Sequence, residues 1–295
     1  MKLFRFGPVG AEKPGVELKD GTRLDVSTLV QDFDADFFGQ DGVNSLLKQI
    51  AQNSKDLPRL TESLRLAAPL AKPAAIIAVG LNYKLHAEES GAKLPTEPVL
   101  FFKHPASFAA PFDSVPIPRI PDIANDGVSF RQSTKTDYEV ELGVVIGRTA
   151  YRIAQADWQK HIAGYTIIDD VSERECQLDR SGTWDKGKGF PGFSPTGPFI
   201  VPASEIDPSN LELWLDVNGE RRQCSNTADM AFPVSFLVWY ASQFFKLEPG
   251  TIITTGTPSG VAMGLKPPRY LQHGDIVRLG IEGIGEMEHT FVNAE

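Results

Sequence analysis

The chain has 295 residues, 41% hydrophobic and 23% charged, with a formal net charge of −9. These values fit a soluble enzyme of one large domain, or of one domain plus a small appendage. No Lys/Arg cluster interleaved with aromatics is present, which argues against a nucleic-acid partner, and no run of about 18 apolar residues is present to span a membrane.

The N-terminus MKLFRFGPVGAEKPG lacks the apolar core of a secretory signal. Cys176 and Cys224 form neither a disulfide framework nor a zinc site, and they read as reduced thiols of a cytoplasmic protein.

Residues 1–70 form a distinct opening section, expected to be a small α+β appendage. KLFRFG and GVELKDGTRLDV read as short strands, the latter pair joined at the Asp20-Gly21 turn. DFDADFFGQD reads as a solvated acidic loop, and GVNSLLKQIAQ and TESLRLAAPL as helices. From residue 74 to 295 the texture changes to a larger, strand-rich domain. AIIAVGLNY and PVLFFKHPASF read as strands.

Between them, GLNYKLHAEES places His86 and Glu89 three apart, the spacing that brings side chains together on one helical turn. A carboxylate beside an imidazole raises its basicity and fixes its tautomer, so the pair can activate water. The Pro-rich DSVPIPRIPDIAND is expected to run over the surface or to cap a site.

TDYEVELGVVIG carries Glu139 and Glu141 two apart, hence on one face of a strand. Two like charges among Val140, Leu142, Val144 and Val145 repel and resist burial. Asp170 stands where the apolar run of GYTIIDD ends. A solvated acidic strand face with a turn aspartate is the plain alternative. A divalent cation resolves the repulsion, and an oxygen-only donor set suits a hard ion such as Mg²⁺ or Mn²⁺.

Ser172 and Glu175 have capping-box spacing, which predicts a helix from Ser172 with Arg174 and Gln177 on one face near Asp170. That cluster would stabilise an anion or a developing oxyanion, and Lys188 in the following Gly-rich segment can join it. GTWDKGKG fails as a phosphate-binding loop because Gly189, not Ser or Thr, follows Lys188.

Asn218-Gly219 marks a hairpin, and MAFPVSFLVWYASQFF reads as one buried helix. TGTPSGV is not a nucleophile elbow, because Thr257 stands two before Ser259. Strands outnumber helices without βαβ alternation, so a doubly wound parallel sheet is disfavoured and the fold class is α+β, mainly β.

The runs VGLNYKLHAEES, PVLFFKHPAS, DYEVELGVVIG, GYTIIDDVSERECQ, KGKGFPGFSPTGPFIV, RQCSNTADMAF and TTGTPSGV together resemble the fumarylacetoacetate hydrolase family, in its order, from about residue 74 to the end. The resemblance implies a mixed β-sandwich roll holding Mg²⁺ or Mn²⁺ on Glu139, Glu141 and Asp170. It also implies a water-activating His86–Glu89 pair on a mobile lid, and a polar cluster of Arg174, Gln177 and Lys188 around the substrate oxyanion.

By the same resemblance Thr227 and Thr257 line the substrate pocket, Lys103 lies near the lid, and the protein is a homodimer or tetramer. SERE replaces the family's usual S-A-R-D, and Ala262 replaces a glycine after GTPSGV. The front section resembles members acting on diketo-deoxy sugar acids, some of them labelled ureidoglycolate lyases by similarity.

The expected activity is hydrolysis of a β-diketo acid, an acylpyruvate or a 2,4-diketo-3-deoxy sugar acid such as the rhamnonate or fuconate form, to pyruvate plus a carboxylic acid. A decarboxylase of oxaloacetate, a 2-hydroxyhepta-2,4-diene-1,7-dioate-type isomerase, a ureidoglycolate lyase-like activity and a non-catalytic metal-binding β-domain are the alternatives. The last leaves His86, Glu89, Arg174, Gln177 and Lys188 without a task.

Overall fold

Strand Val140–Ile146 (VELGVVI) is buried along its whole length, which a strand can be only when both of its faces are covered. Leu142, Val144 and Ile146 enter one core cluster and Val145 another, as the two-residue period of a strand requires. Fully burying each such side chain contributes about 1.5–3 kcal/mol.

The structure is a computed structural model that describes residues 1–61, 63–123, 129–180 and 182–295. Among the described residues the strands make an 11-stranded mixed sheet and a five-stranded sheet. The large sheet runs in the order Arg23–Asp25, Lys13–Glu17, Lys2–Phe6, Ser194–Pro202, Ile162–Asp169, Val140–Ile146, Ile252–Thr254, Ile76–Gly80, Val99–Lys103. The smaller comprises Glu220–Asn226, Glu212–Val217, Ile276–Ile281, Gly285–Asn293 and Val115–Ile117. Their facing side chains fill the main core, with Leu142, Val144 and Ile167 from one sheet against Leu215, Leu279 and Phe291 from the other. This is the mainly-β sandwich expected of the sequence.

The opening section covers the other face of the large sheet. Leu3, Val16, Phe33, Phe38 and Leu46 pack with Val145, Ala163 and Ile252, and Lys2–Phe6 pairs antiparallel with Ser194–Pro202. The Asp20-Gly21 turn joins its two strands in the register Glu17↔Arg23. Asn218-Gly219 closes the Glu212–Val217/Glu220–Asn226 hairpin with both residues at positive φ (52° and 80°), the conformation that Asn-Gly tolerates best.

Helix Gly42–Asn53 forms as expected, but four other readings are corrected. In TESLRLAAPL residues 63–70 are not a helix, because Leu66–Ala67 pairs with Lys2–Phe6 and alternate residues Leu64 and Leu66 pack on Phe4, Phe6 and Phe199; residue 62 lies outside the described residues. The acidic loop holds a short helix, Ala35–Gly39. Asp34 caps it by accepting from the Phe37 N–H (2.8 Å), and Phe33 and Phe38 are buried. The predicted buried helix is shorter and one-sided: Val234–Phe244 buries Val234, Leu237, Val238 and Ala241 while Phe244 is 59% exposed.

The Pro-rich segment is more interior than expected, since Val115, Ile117 and Ile120 are buried in sheet pairings; its residues 124–126 lie outside the described residues. Both cysteines are free, Cys176 buried and Cys224 exposed. Among the described residues no helix is long and apolar enough to cross a membrane.

Candidate active site

Glu141 lies within Val140–Ile146, Glu139 immediately before that strand, and Asp170 immediately after its neighbour Ile162–Asp169. The two strands pair in the register Val140↔Asp169, and the Asp170 N–H donates to Glu139 O (2.9 Å). Both chain segments therefore end at one point. There the ligand oxygens of Glu139, Glu141 and Asp170 lie within 4.8 Å of one another, all three residues buried.

Three cations hold this cluster. Lys188 Nζ donates to Glu139 Oε2 (2.6 Å) and Asp170 Oδ2 (2.8 Å). Lys103 Nζ donates to Asp170 Oδ1 and to Val171 O (3.2 Å). Arg174 spreads its guanidinium over Glu139 Oε1 (2.7 Å), Asp137 Oδ2 (2.8 Å) and Gln177 Oε1 (2.9 Å). Lys188 comes from the short helix Asp185–Lys188, which packs tightly because residue 187 is glycine: a β-carbon there would meet Gln177 N at 2.5 Å. The segment rejected as a phosphate loop thus owes its glycine to helix packing.

Burial raises the Glu139 carboxyl, but Lys188, Arg174 and His86 overcome this and hold it down at about 2. Burial raises Glu141 well above the usual carboxylate range, and the charges of Asp170 and Glu139 add to that push. Desolvation lowers Lys103 despite its pairing with Asp170. Lys188 also loses to desolvation, but Asp170 and Glu139 outweigh the loss and raise it. Glu139 is thus held as an anion on two cations while Glu141 is pushed towards its protonated form, a push that a divalent cation on these three oxygen donors would oppose. The donor set fits a hard ion.

His86 and Glu89 share the one-turn helix Lys84–Glu89. His86 Nδ1 makes a long contact with Glu89 Oε2 (3.4 Å), and the Gly260 N–H donates to both Glu89 oxygens (3.0 and 3.1 Å). Ser90 Oγ donates back to His86 O (3.0 Å) and closes the helix. His86 faces the carboxylates across a cavity of about 180 Å³, which Gln177, Lys188, Thr257 and Arg174 also line. Its remaining wall is largely apolar, with Phe101, Leu178, Trp184 and Met263. A larger groove of about 940 Å³, between residues 38–44 and 202–208, contains none of the predicted site residues.

The structure brings together nearly all of the predicted residues. Thr257 Oγ1 donates to Val140 O (3.0 Å) at the cavity wall. Thr227 lies apart from that wall, its Oγ1 accepting from the Leu211 N–H (2.8 Å). Lys103 acts through Asp170 rather than at the wall.

The helix predicted from Ser172 is absent: Ser172–Glu173 pairs with Thr136–Asp137, and a π-helical turn, Glu175–Asp179, starts only after Arg174. Glu175 turns away to Arg131 and Arg180, and Glu173 instead accepts from the Cys176 N–H (2.6 Å). Arg174 and Gln177 nevertheless share a face.

Two residues of this network escaped the sequence reading. Asp137, fully buried, accepts from Arg174 and from the Ala262 and Met263 N–H groups (2.8 and 3.2 Å). It precedes Glu139 by two, so the same strand parity would have found it. Tyr138 OH donates to Gly260 O (3.0 Å), tying down the loop on which Glu89 rests; nothing in its local spacing marks it.

Residues 75–292 match the family model described as fumarylacetoacetate (FAA) hydrolase, C-terminal. The chain is 44% identical over 293 residues to a Burkholderia lata protein whose name goes no further than hydrolase, covering 98% of this chain and 99% of that one. Among solved structures it is similar to the fumarylacetoacetate hydrolase of Exiguobacterium antarcticum (34% identity, TM-score 0.83, all of both chains). It is also similar to the maleylpyruvate hydrolase of Sphingobium sp. SYK-6, solved in complex with manganese(II) and pyruvate (26% identity, TM-score 0.79, all of both chains).

Proposed function

The chain belongs to the fumarylacetoacetate hydrolase family, and on that premise we propose that it hydrolyses a carbon–carbon bond of a β-diketo acid to give pyruvate and a carboxylic acid. The observation that carries this reading is the His86–Glu89 pair facing the three carboxylates across one small cavity. Hydrolysis needs an activated water at that place, whereas a double-bond shift or a decarboxylation needs none.

Glu139, Glu141 and Asp170 would hold Mg²⁺ or Mn²⁺. When bound, the cation supplies a Lewis acid for the adjacent carboxylate and keto oxygens of the substrate. His86 takes a proton from water, and Glu89 steadies the imidazolium that results. The water oxygen bonds to the distal carbonyl carbon, and the bond from that carbon to the methylene breaks. The electron pair passes to the pyruvate half, whose methylene carbon takes the proton back from His86.

Arg174 holds Gln177 by its carbonyl (2.9 Å), which aims the amide N–H₂ of Gln177 as a donor for a substrate oxygen. Lys188, fixed by Glu139 and Asp170, keeps a positive charge beside the same oxygens. The manganese and pyruvate in the Sphingobium relative support a pyruvate-releasing reaction. The resemblance of the front section supports a 2,4-diketo-3-deoxy sugar acid as the substrate.

The test is turnover of acetylpyruvate and of a diketo-deoxy sugar acid with Mn²⁺ in ¹⁸O water. Label in the released acid, with pyruvate as co-product, is expected. Carbon dioxide from oxaloacetate alone, or a shifted double bond alone, would replace the proposal with the decarboxylase or the isomerase.

A further inference from the structure

His289 is a buried histidine for which the reaction has no use. It sits on Gly285–Asn293 in the five-stranded sheet, with its side chain at 0% exposure, and its ring packs on Phe291 at 5.6 Å between centroids. Its Nε2 lies 2.9 Å from Asp169 Oδ2, and Asp169 is equally buried at the end of Ile162–Asp169 in the other sheet. Among the described residues its Nδ1 has no hydrogen-bond partner.

That arrangement fixes the tautomer. A proton on Nδ1 would be a buried donor without an acceptor, so the proton belongs on Nε2 and is donated to Asp169. A buried nitrogen left bare is a cost that leucine or phenylalanine would not incur at this position. The histidine is explained by what its other nitrogen does. Asp169 Oδ1 in turn accepts from the Glu139 N–H (2.8 Å). Val140 still pairs with Asp169 in the sheet, but Glu139 already lies outside the ladder, so its N–H is held by a side chain and not by the neighbouring strand.

We propose that His289 and Asp169 form a positioning pair that clamps the Glu139 backbone from behind and so sets the geometry of the cation site. The pair spans the two sheets, which makes the placement of Glu139 depend on how they pack. Asp169 contributes to the site without reaching the cavity: its neighbour Asp170 points forward as a ligand, and Asp169 points back. This rests on the reading that Glu139, Glu141 and Asp170 bind a divalent cation.

The experiment is calorimetric titration of Mn²⁺ into the metal-free wild type and into His289→Leu, His289→Gln and Asp169→Asn, with thermal unfolding of each. Groups that orient metal ligands from behind are worth about 10–100-fold in metal affinity, and a loss of that size is expected for His289→Leu. His289→Gln offers an amide N–H near the place of Nε2–H and should restore most of the affinity. A purely structural role would lower the unfolding temperature of both variants and leave the affinity of the folded protein unchanged.

Should His289→Leu not fold, Asp169→Asn supplies the same measurement, with a loss of affinity expected. Wild-type affinity in folded His289→Leu, or in Asp169→Asn where that is the variant that folds, overturns the proposal. Absence of Mn²⁺ binding to the wild type overturns the metal site itself and this inference with it.

Discussion

Gly264 faces Glu89 so closely that a single methyl group tests the role of the pair. A β-carbon at 264 would lie 2.3 Å from Glu89 Cδ and 2.4 Å from its Cγ and Oε1. Gly264 is not among the positive-φ residues, so alanine there strains no backbone and acts through that contact alone. The neighbour is the end of a flexible side chain, and the cheapest relief is for Glu89 to swing away.

In doing so it forfeits two contacts with the Gly260 N–H and one with His86 Nδ1. A hydrogen bond to a carboxylate is worth about 1.5–3 kcal/mol, and each 1.4 kcal/mol is about tenfold in an equilibrium. Gly264→Ala should therefore lower kcat by about 10–100-fold, within the range that base catalysis contributes. Mn²⁺ affinity should stay unchanged, because the carboxylates are untouched. Steady-state kinetics with acetylpyruvate and Mn²⁺ calorimetry on one preparation decide the matter. A wild-type kcat in folded Gly264→Ala would refute the coupling of Glu89 to His86, and a parallel loss of metal affinity would refute its independence from the cation site.

His86→Ala should lower kcat by about 10²–10⁴ with Mn²⁺ affinity intact by calorimetry; turnover near the wild-type rate would remove His86 from the chemistry. Because Glu141 is pushed up in the metal-free protein, Mn²⁺ binding should release protons, with affinity rising as pH rises. Titrations in buffers of different ionisation enthalpy measure the release. Glu141→Gln should abolish it, and buffer-independent heats in the wild type would show Glu141 already ionised.

What the chain reveals to a reader depends on how local each contact is. Glu139 with Glu141, His86 with Glu89, and Arg174 with Gln177 are separated by two or three residues, so strand and helix repeats suggest their proximity from the sequence. The Asp169–His289 contact spans 120 residues and two sheets, and no local pattern encodes it. The helix readings failed for a related reason. In LRLAAP, Leu64 and Leu66 share a strand face, and Arg5 and Phe6, beyond the pairing of Leu3 with Ile200, offered the open edge that Leu66–Ala67 took. At Ser172 the capping spacing was present, but the Thr136–Asp137 backbone claimed Ser172 and Glu173 first. Phe33 and Phe38 were hidden by the aspartates around them, although Asp34 serves the helix as a cap and Asp32 pairs with Arg5.

Charge balance joins these residues into one device. Asp137, Glu139, Glu141, Asp169, Asp170 and Glu173 are six buried carboxylates set around three buried cations, Lys103, Arg174 and Lys188. With every one of them ionised, negative charge would remain uncompensated in a low-dielectric interior, where unpaired charge is costly. Burial and the neighbouring charges of Asp170 and Glu139 push Glu141 up, which favours its protonated form. A divalent cation offsets two of these charges, at the place where, among the described residues, three of the carboxylates converge. Arg174 and Lys188 hold Glu139 as an anion, so the upward push falls on Glu141. Lys188, which bridges Glu139 Oε2 and Asp170 Oδ2, must share those oxygens with the ion or give them up.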